Sequence, residues 1–164
     1  MKAPGLALAL SLLASHAVAR ECDLWDIRHG RELHEALSRR AVEVVDRASA
    51  EDEDSDDALS RLVLAQAVFS LGVGDVGRPL PEGPAGARAL AATMRASSFR
   101  FYGWDYMNIP VDACAPQKVT VEFIDDTGGY SSPVEFAFEE GRLVSARGWQ
   151  RSFSTGRLPT ERHR

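Results

Sequence analysis

Two carboxylates stand where chemistry could be done: Asp105 and Glu122 each lie beside aromatic or apolar residues at alternating positions. A carboxylate whose pKa is raised by such surroundings can move a proton next to a carbonyl, whereas the same residue on a wet strand face is an ordinary surface acid. The sequence supports both readings and assigns no catalytic residue. His29 and His34 are five apart, so on a helix they face different sides and make neither a metal pair nor a joint acid and base. Both are expected as exposed surface histidines. No Gly-x-Ser-x-Gly elbow is present. Gly72-Val73-Gly74-Asp75-Val76-Gly77 reads literally as GxGxxG, but it is expected to follow a helix and runs into Arg78-Pro79, so no pyrophosphate would meet a helix N-terminus. Asp52, Asp54 and Asp56 alternate as in a calcium loop. Asp57 then stands where the tight-turn glycine belongs and Val63 where the bidentate glutamate belongs. No cofactor and no metal are expected.

Aromatic residues supply the other candidates. Phe99 and Phe101 point one way on an extended run over 99–107 and Tyr102, Trp104 and Tyr106 the other, so both faces are covered or one lines a cavity. The hairpin after them bears on what else could line it. Glu140-Gly141 reads as a two-residue turn that sets Glu139 opposite Arg142. Continued without interruption, that register puts Phe136 opposite Ser145 and Val134 opposite Arg147, which places an arginine on an apolar row that must then open onto water, a carboxylate or a ligand. Tyr102, Trp104, Tyr106, Glu122, Ser145 and Arg147 are on that basis the candidate ligand-binding residues. Arg147 would hold an anionic group or pair with Glu122. A register shifted by one residue turns Arg147 to solvent and puts Val144 and Ala146 on the apolar face instead.

Met1-Lys2, the apolar run Leu6 to Ala14 and the exit Ala17-Val18-Ala19 form the pattern of a secretory signal peptide, with cleavage expected after Ala19. The run is shorter than the roughly 20 residues that cross a bilayer, and no later segment is longer, so no membrane insertion is expected after cleavage. Removing 1–19 takes one lysine and no acid from a chain of net charge −5, leaving −6. An acidic surplus without clustered lysine or arginine argues against nucleic-acid binding. Cys22 and Cys114 are an even pair in an oxidising compartment, periplasmic or secreted, and are expected to form one disulfide.

These residues need elements to position them. Leu33, Leu37, Arg40, Ala41, Val44, Val45 and Ala48 form one stripe over 31–48, an amphipathic helix with Gly30 as its cap. The acidic run Glu51–Asp57 leads into a second helix over Ala58–Leu71, apolar nearly all round and ended by Gly72. Gly83-Pro84 opens a third, whose buried side is Ala87, Leu90, Ala91 and Met94. Strands follow: 99–107, then three runs within 118–153, the first two joined by Asp125–Gly129. Residues 20–155 read as a single α+β domain and 156–164 as a disordered tail.

Three N-terminal helices, an aromatic strand and closing hairpins over Lys118–Phe153 that end in Arg147-Gly148-Trp149 make the chain resemble the nuclear-transport-factor-like superfamily (NTF2-like), which includes ketosteroid isomerase and scytalone dehydratase relatives. The resemblance implies helices packed on a curved antiparallel sheet of about four strands, cone-like, with a pocket between them. A cystatin-like sheet on a helix is the alternative fold. Enzymes of that superfamily place an Asp, or an Asp with a His, in the pocket; no position here matches a defined pattern. The expected function is a non-enzymatic binding or interaction module whose pocket or open sheet face takes a small apolar or anionic ligand or a partner protein. The alternative is an isomerase or dehydratase-type enzyme using a pocket carboxylate. A partner protein or inhibitor role would use the sheet face and the loop Asp125–Ser132.

Overall fold

The computed structural model describes residues 22–73, 76–103 and 109–152. Residues 1–19, Trp104, Asp105, Tyr106 and the tail 156–164 therefore lie outside the described residues. The elements are α1 (Gly30–Ser49), α2 (Glu53–Leu62), β1 (Val63–Val73), α3 (Gly83–Met94), β2 (Ser98–Phe101), β3 (Gln117–Asp125), β4 (Tyr130–Glu139) and β5 (Arg142–Ser152). The strands form one sheet in the order β1-β5-β4-β3-β2, with β1 parallel to β5 and every other pair antiparallel. The helices pack on one face, so this is an α+β fold in two layers.

The expected second helix is corrected here. Its first half begins five residues earlier than the apolar pattern suggested, because Asp52 caps it: the Asp52 carboxylate accepts the Ser55 N–H at 2.8 Å and the Ser55 hydroxyl at 3.0 Å. Glu53, Asp54 and Asp56 fill the first turn, where the helix dipole favours negative charge. From Val63 the chain is a strand. Val63, Ala67, Phe69 and Leu71 turn inward while Val68 between them is exposed, a period of two that a nearly continuous apolar run conceals. The sheet thus gains a fifth strand, and a strand stands between the second and third helices. Gly72 lies inside β1, and the GxGxxG segment follows a strand but opens no helix. Instead Val76–Leu80 folds back along β1, with Leu71 N–H to Arg78 O at 3.0 Å and Leu80 N–H to Phe69 O at 2.9 Å.

The other helices follow their patterns. α1 buries Leu33, Leu37, Ala41, Val44, Val45 and Ala48, and α3 buries Ala87, Leu90, Ala91 and Met94. The N-cap of α1 is His29 rather than Gly30. Across the middle of the sheet, Val119 stands opposite Phe136 and Val121 opposite Val134 on the helix-facing side, where Phe123 and Phe136 meet edge on at 6.0 Å.

The β4–β5 hairpin keeps Glu139 opposite Arg142 and Phe138 opposite Leu143, as the turn requires, but the register then slips. Ala137 stands opposite Ser145, so Val144 is an extra residue on β5, a bulge beside the turn. Phe136 consequently meets Ala146 and Val134 meets Gly148, both small and fully or nearly fully buried. Arg147 is turned to the exposed side, opposite Glu135. The physical reason is the core itself: an unbulged register would bury a guanidinium against Val134, which costs several kcal/mol, whereas the bulge seats Ala146 under Phe136.

Cys22 and Cys114 are joined, with Cα atoms 5.9 Å apart. Among the described residues no helix is long and apolar enough to cross a membrane.

Candidate functional site

One side of α1 carries Arg39, Val42, Glu43, Asp46, Arg47 and Ala50, spaced by three and four and hence aligned along the helix. Facing this side, β2 presents Phe99 and Phe101. They lie opposite Phe123 and Val121 of β3 and so share the helix-facing side of the sheet. Between helix and strand runs an open groove of about 520 Å³, lined also by Asp52 and Ser55 at the start of α2. Its floor is aromatic. The two phenyl rings are 5.2 Å apart at 53° to each other, and Phe99 is 44% exposed although it is a large apolar side chain on the sheet's inner face.

The groove walls are charged, and most of those charges are spoken for within the helices. Arg39 pairs with Glu35 at 2.8 Å, and Asp52 is the α2 cap, its pKa lowered first by the Ser55 N–H and hydroxyl and then by Arg47 and Arg88. Asp46 differs. Asp46 is exposed at the helix surface, yet partial burial of its carboxyl raises its pKa, and the like charge of Glu43, three residues before it, raises it further. An acid so placed takes up a proton more readily than one without a like charge beside it.

Of the residues expected from sequence, the structure brings Tyr102 and Glu122 together, but on the outer face of the sheet. Glu122 is only 6% exposed there. Its carboxylate accepts a short hydrogen bond from Arg100 and one from the Tyr102 hydroxyl at 2.9 Å. The Arg100 guanidinium in turn lies 5.4 Å from the centre of the Tyr102 ring. Arg100 was not foreseen, although alternation with Phe99 and Phe101 already puts it beside Tyr102. Ser145 and Arg147 are also on the outer face, but on β5, two strands from Glu122. Arg147 does not pair with Glu122; it stands opposite Glu135, which accepts Lys118 Nζ from the other side at 2.8 Å. Neither the groove nor the second cavity, about 150 Å³ beside Leu33, His34 and Val111, is lined by any of these residues.

His34 is buried, contrary to the expectation of a surface histidine, while His29 is exposed. Among the described residues no three His, Cys, Asp or Glu side chains converge to hold a metal ion.

Neither a family model nor a curated protein matches the sequence. Among solved structures the chain is similar to an NTF-2-like protein of unknown function from Silicibacter pomeroyi DSS-3, at 16% identity over 73% of this chain and 97% of that one, TM-score 0.45. It is also similar to an NTF-2-like protein of unknown function from Burkholderia xenovorans LB400, at 12% identity over 76% and 91%, TM-score 0.42. A protein of unknown function with a cystatin-like fold from Methylobium petroleophilum PM1 is matched at 15% identity over 77% and 83%, TM-score 0.43. The likeness is one of NTF2-like and cystatin-like element arrangement, and no residue's role comes with it.

Proposed function

We propose that this chain is an exported binding module that takes a small ligand with a flat apolar body into the α1–β2 groove. One observation carries the reading: Phe99 and Phe101 offer ring surface to a concavity of about 520 Å³, within the range of roughly 300–1,000 Å³ in which small-molecule sites fall. Export accords with the Cys22–Cys114 disulfide, since such bonds persist in oxidising compartments. The anionic ligand that Arg147 suggested has no support from its position. The test is fluorescence of N-phenyl-1-naphthylamine, a neutral aromatic probe. Emission should rise on adding the protein and fall back by more than half for Phe99→Ser, a substitution at an exposed position that leaves the core intact. Equal emission from both proteins would remove the groove as the site.

A second reading, proton transfer next to a carbonyl, is favoured by the place of Asp46 in the lining of the groove, where its pKa is also raised. Glu122, the acid named from sequence, is held by Arg100 and Tyr102 away from both cavities. Deuterium uptake alpha to the carbonyl of a cyclic ketone, followed by NMR, should be accelerated by the protein and not by Asp46→Asn. An unaccelerated rate with the native chain would leave binding alone.

A further inference from the structure

Resting on the groove as a binding site, we infer that its ligand is an organic cation, a protonated or quaternary amine attached to an apolar body. The aromatic floor and the Glu43 and Asp46 carboxylates favour positive charge, and Arg39 and Arg47 on the same wall lie beside acids of their own. The faces of Phe99 and Phe101 carry the negative part of the ring quadrupole, and a cation within about 6 Å of such a face is attracted to it. Glu43 and Asp46 project from α1 on the side that lines the same groove, one turn apart, so their like charges are close enough to repel.

What makes this pair unlike an ordinary acidic surface is the placing of the neighbouring arginines. Arg39 is drawn to Glu35, one turn back on α1. Arg47 and Arg88 act on Asp52, and Arg88 also pairs with Asp56 and donates to Ala50 O at 2.9 Å. Partial burial and Glu43 both act against the charge of Asp46. A ligand ammonium between the carboxylates and the rings would relieve the repulsion and lie against aromatic surface at once. An anion would meet Glu43 and Asp46 directly. A neutral ligand would gain from the rings but leave the carboxylates as they are.

The probes that decide are benzyltrimethylammonium, its neutral isostere neopentylbenzene, and phenylacetate, each titrated into the ¹⁵N-labelled protein and followed through the amides of α1 and β2. The cation should bind tighter than the isostere by roughly tenfold, with shifts centred on residues 42–47 and 99–101. Asp46→Asn should weaken the cation several-fold and leave neopentylbenzene unchanged, and its circular dichroism should match the native chain because the residue is on the surface of the helix. Acidification that protonates Asp46 should weaken the cation in the same way. Equal or tighter binding of neopentylbenzene or phenylacetate would overturn the ligand class while leaving the groove a binding site. Absence of shifts in α1 and β2 with all three probes would overturn the site itself.

Discussion

His34 sits on the buried side of α1 against a small cavity that Ile109, Val111 and Lys118 also line, and burial holds its pKa below that of an ordinary histidine. The neutral imidazole is therefore the form the fold accepts. Above the unfolded-chain pKa both states are neutral and no penalty arises; as pH falls below it, the unfolded chain takes up a proton that the folded chain resists, so stability declines. Denaturant midpoints at pH 7.5 and pH 5 should show a larger drop for the native chain than for His34→Leu, and an equal drop in the two would assign the acid sensitivity elsewhere. Reading such residues from the sequence succeeds where a short-range pattern decides. Strand alternation put Tyr102 on the face opposite Phe99 and Phe101 and Glu122 on the face opposite Val121 and Phe123, and the structure joins the two through a hydrogen bond. It fails where the partner lies on another element. Asp46 and Phe99 are 53 residues apart, and as a helix-surface acid and a strand aromatic neither carries a mark of the groove they share.

The elements show the same division. α1 and α3 were legible because their apolar positions recur at three and four, and the turn at Glu140-Gly141 because Glu140 and Gly141 both take positive φ, as a hairpin of this kind demands. β1 was not, because Val63 to Leu71 is apolar on so many positions that helix and strand periods both fit. Its neighbour settles the matter: α3 packs on β1 through Gly86, where an added Cβ would come within 2.5 Å of the Phe69 ring and 2.1 Å of Pro81 O. A flat pleated surface with an aromatic at its centre can receive a helix that closely only if the helix has a residue without a side chain. Two effects then oppose each other in Gly86→Ala. Helix propensity favours alanine by about 1 kcal/mol, while forcing Phe69 and the backbone at Pro81 apart costs about 1–3 kcal/mol. The clash involves backbone as well as a fully buried ring, so overpacking wins. The variant should be less stable by about 1–2 kcal/mol in urea, and a more stable variant would mean that α3 stands off from β1.

At the scale of the molecule, the disulfide lies at the centre of one group of long-range ties. Cys22 begins the described chain and Cys114 precedes β3, at a sequence separation of 92. Around the bridge, Arg40 of α1 donates to Asp23 at 2.6 Å and to Gly141 O at 2.7 Å, and Glu140 N–H reaches Cys114 O at 3.2 Å. The N-terminal lead, α1, the connection into β3 and the β4–β5 turn are thus fastened at one place. The Arg40 hydrogen bonds do not involve the sulfurs and remain available without the bridge. The disulfide acts chiefly on the unfolded chain, which loses the conformations in which residues 22 and 114 are far apart, a loss worth about 4–5 kcal/mol in the chain-entropy model. Cys22→Ser with Cys114→Ser should therefore fold to the same circular dichroism spectrum yet lose stability by up to about that amount. It should also unfold with a steeper dependence on urea, since the uncrosslinked chain exposes more surface. A loss under about 1 kcal/mol with an unchanged slope would show that the unfolded chain is already compact around this pair. A lost native spectrum would show that the bridge positions the lead and α1 rather than restraining the chain they unfold into.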